Sequence, residues 1–181
     1  MSNPASFESA SSPSLRRLRV AFNRVDLALY RRVRALAHAP DRVRWVRRYS
    51  RLGEHGAVWL VLGLLGSAAD AERRGRWVRA TARVGAAYLL STSIKHAIGR
   101  RRPVLEDLPH LMATPTGLSF PSSHSTSSFA AARAFGTLLP RGPLLGAAAA
   151  MAFSRLYLGV HYPSDVAAGA ALGTAIGSLG R

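Results

Sequence analysis

The sequence predicts an all-α fold: a membrane-embedded helical bundle of about five spans or half-spans, preceded by an N-terminal amphipathic interfacial helix. Three observations predict it. The 181 residues carry 25 Lys+Arg against 9 Asp+Glu, a net charge of +16, yet 48% of them are hydrophobic. Near the N-terminus apolar and basic residues interleave at helical spacing, and five apolar stretches follow without strand-like alternation. The last stretch places Gly169, Gly173 and Gly177 at four-residue steps, the small-residue stripe by which membrane helices approach closely. High charge combined with high hydrophobicity excludes intrinsic disorder. Soluble nucleic-acid binders are seldom this apolar, so the expected partner surface is anionic membrane lipid and not nucleic acid. The absence of cysteine excludes a disulfide scaffold, a zinc–thiolate site and a cysteine nucleophile.

Taken in order, residues 1–14 are polar and serine-rich and are expected to be a disordered tail. They lack the basic start and apolar run of a cleavable signal peptide. From Leu15 the apolar positions Leu18, Phe22, Val25, Leu29, Val33 and Leu36 recur every three or four residues, with Arg16, Arg17, Arg19, Arg24, Arg31, Arg32 and Arg34 between them. This predicts an amphipathic helix over 15–38, ended near Pro40. Arg42, Arg44, Arg47, Arg48 and Arg51 extend the basic character to residue 51. Segment 15–51 is read as an interfacial region, apolar side in the bilayer and arginines toward anionic headgroups. The plain alternative is a solvated face on a soluble helix.

Residues 52–181 form one helical domain. Its apolar stretches are His55–Ala69, Val84–Ile94, Ser125–Leu139, Gly142–Ser154 and Val166–Gly180. None reaches the roughly 18–20 residues of a clear spanning helix, so hydropathy alone leaves a soluble bundle open. The Ala/Gly/Ser/Leu composition, without a charged outer face, favours the membrane.

Three polar clusters stand out because polar groups are costly in so apolar a setting. Lys95 to Pro103 ends the second stretch, Pro121-Ser122-Ser123-His124 opens the third, and Ser154 to Asp165 joins the fourth to the fifth. In an up-and-down bundle all three fall at one end. They bring three cations, two histidines and a carboxylate to one place, a site for an anion with histidine chemistry. Lys95, Arg102 and Arg155 suit a phosphate dianion. Pro121 is expected as the first residue of a helix, which puts the amides of Ser122, Ser123 and His124 at an anion-binding N-terminus. Asp165, in the first turn of a helix opened by Pro163, is placed to orient His161. Taken singly, each cluster also reads as a helix cap or a surface pair.

These residues resemble the signature of the type 2 phosphatidic acid phosphatase superfamily, K-x6-R-P, P-S-G-H and S-R-x5-H-x3-D. Lys95–Pro103 and Ser154–Asp165 match fully, and Ser123 stands where glycine is usual. The resemblance implies a metal-independent, cofactor-free phosphatase. It implies His161 as nucleophile, His124 as proton donor to the leaving alkoxide and Asp165 as orienter. Lys95, Arg102, Ser122, Ser123 and Arg155 would hold the phosphoryl oxygens. Gly53-Glu54-His55-Gly56 and Phe120–His124 are similar to a small actinobacterial group in that superfamily, the decaprenylphosphoryl-5-phosphoribose phosphatases. Glu54 and His55 are therefore candidate headgroup contacts, with an ordinary helix cap as the alternative.

The expected activity is hydrolysis of a phosphate monoester on a lipid, either phosphatidic-acid-like or a polyprenyl-phosphoryl-sugar phosphate. Other readings are an undecaprenyl diphosphate phosphatase, a vanadate-dependent haloperoxidase and a non-enzymatic basic membrane-associated binding protein. The twelve arginines between Leu15 and Leu52 share the motif side. The positive-inside rule then expects a multi-pass protein of the plasma membrane whose site faces the cytoplasm.

Overall fold

The computed structural model describes residues 13–36 and 38–180, with side chains from residue 23. Seven α-helices run in order: α1 (Pro13–Arg34), α2 (Pro40–Leu52), α3 (Ala57–Ala69), α4 (Arg74–Ile98), α5 (Ser123–Phe135), α6 (Arg141–Tyr157) and α7 (Pro163–Ser178). A 3-10 turn, Glu54–Gly56, joins α2 to α3. Among the described residues there is no strand, only an isolated bridge between Arg101 and Leu118. The helical boundaries differ from the expected ones at three places. Pro13 and Ser14 belong to α1, while residues 1–12, the rest of the expected tail, lie outside the described residues. Pro40 opens α2 rather than closing the preceding helix, as suits a residue with no N–H to lose at the first turn. Pro121 precedes α5 in a cis peptide with Phe120, and the helix starts at Ser123 with Ser122 as its N-cap.

Helix α5 is the axis of the bundle. It packs against α4, α6 and α7, and most of its residues are buried although five of its first six are Ser or Thr. Those hydroxyls do not reach water. Thr126 Oγ1 donates to the Ser122 carbonyl, Ser127 Oγ to the His124 carbonyl, and Ser128 Oγ accepts from the Trp59 indole of α3 at 2.8 Å. The apolar core beyond them joins Trp59, Trp77, Val84, Phe135 and Leu144 at the end of the bundle away from the three motifs.

The glycine stripe of α7 lies on α5. A Cβ added at Gly169 would stand 2.6 Å from the Ser122 carbonyl oxygen, one at Gly177 2.5 Å from that of Ala130, and one at Gly173 would overlap the Thr126 carbonyl still more closely. Backbone meets backbone here, so no side chain can swing aside. Gly173→Ala is expected to cost about 2–3 kcal/mol, the range of overpacking a dense core. Gly85→Ala on α4, where an added Cβ meets nothing within 4 Å, is expected to be neutral or slightly stabilising through helix propensity. Thermal unfolding of the two variants in one detergent checks the contrast.

Outward, the bundle presents Val61, Leu64 and Leu65 on α3, Val78, Leu89, Leu90 and Ile98 on α4, and Leu145 and Phe153 on α6, all exposed. No single helix among those described is long and apolar enough to cross a membrane, but α2 with the turn and α3 passes that test as a pair bent by 48°.

Helix α1 departs from the simple amphipathic reading. Val25, Leu29 and Leu36 are exposed, whereas Asp26, Tyr30 and Arg34, four residues apart on one face, are buried. Arg34 therefore does not join a lipid-facing apron. Its Nη1 donates to the Tyr157 carbonyl at 3.0 Å and its Nη2 to that of Pro109 at 2.7 Å. Arg47 of α2 likewise donates to the Leu111 carbonyl. Helix α2 seats Val43 against Tyr157 and Leu158 at the end of α6. The N-terminal helices thus clamp the loops of the motif end.

Candidate active site

The motif end of the bundle gathers the C-terminal ends of α4 and α6 and the N-terminal ends of α5 and α7, as the up-and-down topology requires. A cavity of about 140 Å³ opens there. Its wall includes Lys95, Arg102, Ser123, His124, Arg155 and His161, together with Glu54 and His55. Eight of the ten residues singled out from sequence thus line one cavity.

The two that do not are Ser122 and Asp165. Asp165 stands directly behind His161: its Oδ2 lies 3.5 Å from the imidazole Nδ1. That separation is long for a formed hydrogen bond, as is common before substrate tightens a catalytic site. Asp165 is fully buried and is held by its own partners. Its Oδ2 accepts from the Tyr162 N–H at 2.8 Å, closing the first turn of α7, and its Oδ1 accepts from Arg100 Nη1 at 2.8 Å. Ser122 is also buried, and both of its polar groups are taken. Its amide donates to the Asp165 carbonyl at 3.0 Å, and its Oγ caps the Ser125 N–H. The expectation that the Ser122 amide joins an anion cradle is therefore corrected. The open N-terminus of α5 offers the amides of Ser123 and His124.

The cations are preset by backbone carbonyls. Lys95 Nζ donates to the Ser119 and Pro121 carbonyls at 3.1 and 2.7 Å. Arg102 Nε donates to the Thr116 carbonyl at 2.9 Å and Nη1 to that of Val160 at 2.5 Å. Arg155 Nη1 donates to Ser50 Oγ of α2. Groups that a phosphoryl oxygen would satisfy are left open: Arg155 Nε and Ser123 Oγ are buried and have no hydrogen-bond partner. In an interior of low dielectric such groups are costly unless a ligand completes them.

His161 sits at the centre, 2% exposed. Its Nε2 accepts from Arg102 Nη1 at 3.1 Å, which leaves the ring proton on Nδ1, toward Asp165. Burial foremost, then the positive charges of Arg102, Arg155 and Lys95, hold its pKa well below the ordinary histidine value. A neutral ring with its lone pair on Nε2 is the nucleophilic form. His124 occupies the first turn of α5, and its Nε2 faces the Ser50 carbonyl at 3.2 Å. Gly53 makes this proximity possible, because a Cβ there would meet His124 Cδ2 at 2.9 Å and Met151 Sδ at 2.7 Å.

The opposite wall carries residues that the motifs did not flag. His55 holds a left-handed backbone with φ of +54°, a conformation that non-glycine residues rarely adopt outside functional turns. Its Nδ1 lies 2.7 Å from Tyr88 Oη. Tyr88, Thr92 and His96 of α4 line the same cavity, as do Ala113, Pro115 and Thr116 of the loop before α5. The helical part was visible in principle: Tyr88, Thr92, Lys95 and His96 follow i, i+4, i+7, i+8 spacing on one face of an otherwise apolar segment.

A protein of Mycobacterium tuberculosis named decaprenylphosphoryl-5-phosphoribose phosphatase is 43% identical over 147 residues, covering 80% of this chain and 82% of that protein. The fold is similar to that in the crystal structure of Aquifex aeolicus LpxE, with 26% identity and a TM-score of 0.73 over 84% of this chain and 92% of that one. It is also similar to the transmembrane PAP2-type phosphatidylglycerolphosphate phosphatase of Bacillus subtilis, with 25% identity and a TM-score of 0.71 over 86% of this chain and 82% of that one. Residues 76–180, which hold all three motifs, match the PAP2 superfamily, and the chain belongs to it.

Proposed function

We propose that this protein removes a terminal phosphate from a lipid-linked sugar, with decaprenylphosphoryl-5-phosphoribose or a close analogue as substrate. The observation that carries the reading is the cavity itself, where a neutral buried histidine, three cations and unpartnered phosphate donors face one another. The relative from Mycobacterium tuberculosis supports the substrate class. Glu54, His55, Tyr88, Thr92 and His96 supply hydrogen-bonding groups that suit sugar hydroxyls.

In this reading the phosphoryl oxygens lie against Lys95, Arg102, Arg155 and the amides of Ser123 and His124. The Nε2 lone pair of His161 attacks phosphorus as the bond to the ester oxygen breaks, and His124 delivers a proton to that oxygen. Asp165 balances the charge that forms on the His161 ring. A water molecule then attacks the phosphohistidine, His124 takes its proton, and the P–N bond breaks to release inorganic phosphate and restore His161. No step calls on a metal or a cofactor.

The test is phosphate release from a panel of phosphatidic acid, phosphatidylglycerophosphate, undecaprenyl diphosphate and a polyprenyl-phosphoryl-ribose 5-phosphate. Release is expected to be largest from the last. Preference for the diphosphate would overturn the monoesterase reading. Vanadate is expected to inhibit; peroxidase activity on its addition would reassign the site.

The exposed apolar side chains of α3, α4 and α6 support a bilayer setting, with Val25, Leu29 and Trp45 of the N-terminal helices against the interface and neighbouring arginines on anionic lipid. The charge distribution supports a cytoplasmic site: the motif end shares its side with segment 15–51, while Arg73, Arg74, Arg76, Arg79 and Arg141 lie toward the other. Because the chain has no cysteine, Glu106→Cys in the exposed loop of the motif end reports sidedness without background. It is expected to resist a membrane-impermeant maleimide in intact cells and to react after permeabilisation; labelling in intact cells would reverse the orientation.

A further inference from the structure

Behind His161 a second carboxylate stands where no motif calls for one. Asp26 of α1 is 4% exposed. Its Oδ1 accepts from the Ser164 N–H at 2.9 Å, and its Oδ2 accepts from Ser164 Oγ at 2.5 Å and from Arg100 Nη2 at 2.7 Å. Arg100 is one of the unspecified positions between Lys95 and Arg102. Its other terminal nitrogen, Nη1, donates to Asp165 Oδ1 at 2.8 Å and to Ser164 Oγ at 2.7 Å. Its guanidinium lies over the Tyr162 ring, 4.2 Å from the centroid. One arginine therefore forks between two buried carboxylates, of which one faces the imidazole.

The arrangement has an electrostatic consequence. An unopposed Arg100 would draw the charge of Asp165 away from His161. With Asp26 beside it the cation is matched, and Asp165 keeps its charge for the ring. We infer that Asp26 and Arg100 are positioning residues for the Asp165–His161 pair, and that α1 completes the site electrostatically as well as mechanically. The inference rests on His161 being the working histidine of the proposed function. Fastening α1 to the bundle does not by itself require a buried charge pair, which is weak as a stabiliser. Tyr30 Oη on the Gly159 carbonyl at 3.1 Å and Arg34 on Tyr157 already tie the same face of α1 to the same loop.

Other charged and titratable groups around the ring are Arg102 from the loop, Lys95 from α4, His124 from α5 and Arg155 from α6, with Glu54 of the 3-10 turn facing Arg155. All stay in place in the variants below. The test uses the full chain in detergent and two readouts. One is the acid limb of the pH profile of kcat/KM. The other is the titration of the His161 ring by NMR with inorganic phosphate bound. Asp26→Asn leaves Arg100 unmatched, so both midpoints are expected to move down by about half a pH unit. kcat is expected to fall about tenfold, the order carried by outer partners of metal-ligating histidines. Arg100→Gln removes the cation and is expected to move both midpoints up. Asp26→Glu, which restores the charge, is expected to bring them back toward wild type. Unchanged midpoints, or shifts of the same sign in the first two variants, would overturn the inference. If Asp26→Asn does not fold, the sign for Arg100→Gln decides. If the wild type releases no phosphate from any substrate, the function reading fails, while the ring titration still decides this one.

Discussion

His161→Ala is expected to abolish phosphate release, by at least about 10⁴-fold in kcat, the scale of losing the working member of a covalent catalytic set. The buried ring faces Lys95, Arg102 and Arg155 together. Its partner Asp165 has no path to phosphorus, because it lies behind the ring and is committed to Arg100 and the Tyr162 amide. The variant is expected to stay folded, since α7 keeps its capping turn and its glycine contacts with α5. It is also expected to bind vanadate or inorganic phosphate, because Lys95, Arg102 and Arg155 remain fixed by carbonyls and by Ser50. Rapid quench with a ³²P-labelled substrate measures the chemistry directly: the wild type is expected to give acid-labile, alkali-stable label on protein, and His161→Ala none. Turnover in the variant would remove His161 from the nucleophile's role.

The second large effect is on His124. A general acid is worth about 10²–10⁴-fold when the leaving oxygen is basic and much less when it is not. His124→Gln is therefore expected to lose about 10³-fold on a lipid alkyl phosphate or a sugar 5-phosphate. On 2,4-dinitrophenyl phosphate, whose leaving group departs without a proton, the loss on phosphorylation is expected to be slight. Hydrolysis of the phosphohistidine also uses this histidine, as the base for the attacking water, so the good leaving group is expected to give a burst of dinitrophenolate followed by slow turnover. Equal losses on both substrates with no burst would assign His124 to binding alone.

The sequence made the bundle and the site's contents legible because motif and topology reinforce each other. Lys95 at the end of one helix with Arg102 just beyond it, His124 at the start of the next and Arg155 and His161 across a turn can meet in only one way in an up-and-down bundle. The glycine stripe shows a close helix contact for a similar reason, since three missing side chains at fixed spacing have one structural use, but only the structure names α5 as the partner. What stayed illegible depends on carbonyl oxygens. From sequence the Ser122 amide reads as free, yet it donates to the Asp165 carbonyl. Arg34 and Arg47 read as surface charge, yet they donate to the carbonyls of Pro109, Tyr157 and Leu111. Every residue carries the same carbonyl, so no residue type announces it. Asp26 escaped for a further reason. Its position on the polar face of α1 is what solvation would also produce, and its partners are 74 and 138 positions away.

The glycine-on-carbonyl seam between α5 and α7 has a consequence for redesign. The seam, extended by the bond from Ser122 to Asp165, makes the phosphate-holding half of the cavity a rigid baseplate in which almost any substitution clashes. The half formed by the 3-10 turn and the cavity face of α4 presents the side chains of Glu54, His55, Tyr88, Thr92 and His96, which are exchangeable. An engineer seeking a new alcohol moiety would vary Glu54, His55, Tyr88, Thr92 and His96 and leave the baseplate alone. Sequence libraries built that way are expected to retain folding while spreading in substrate preference.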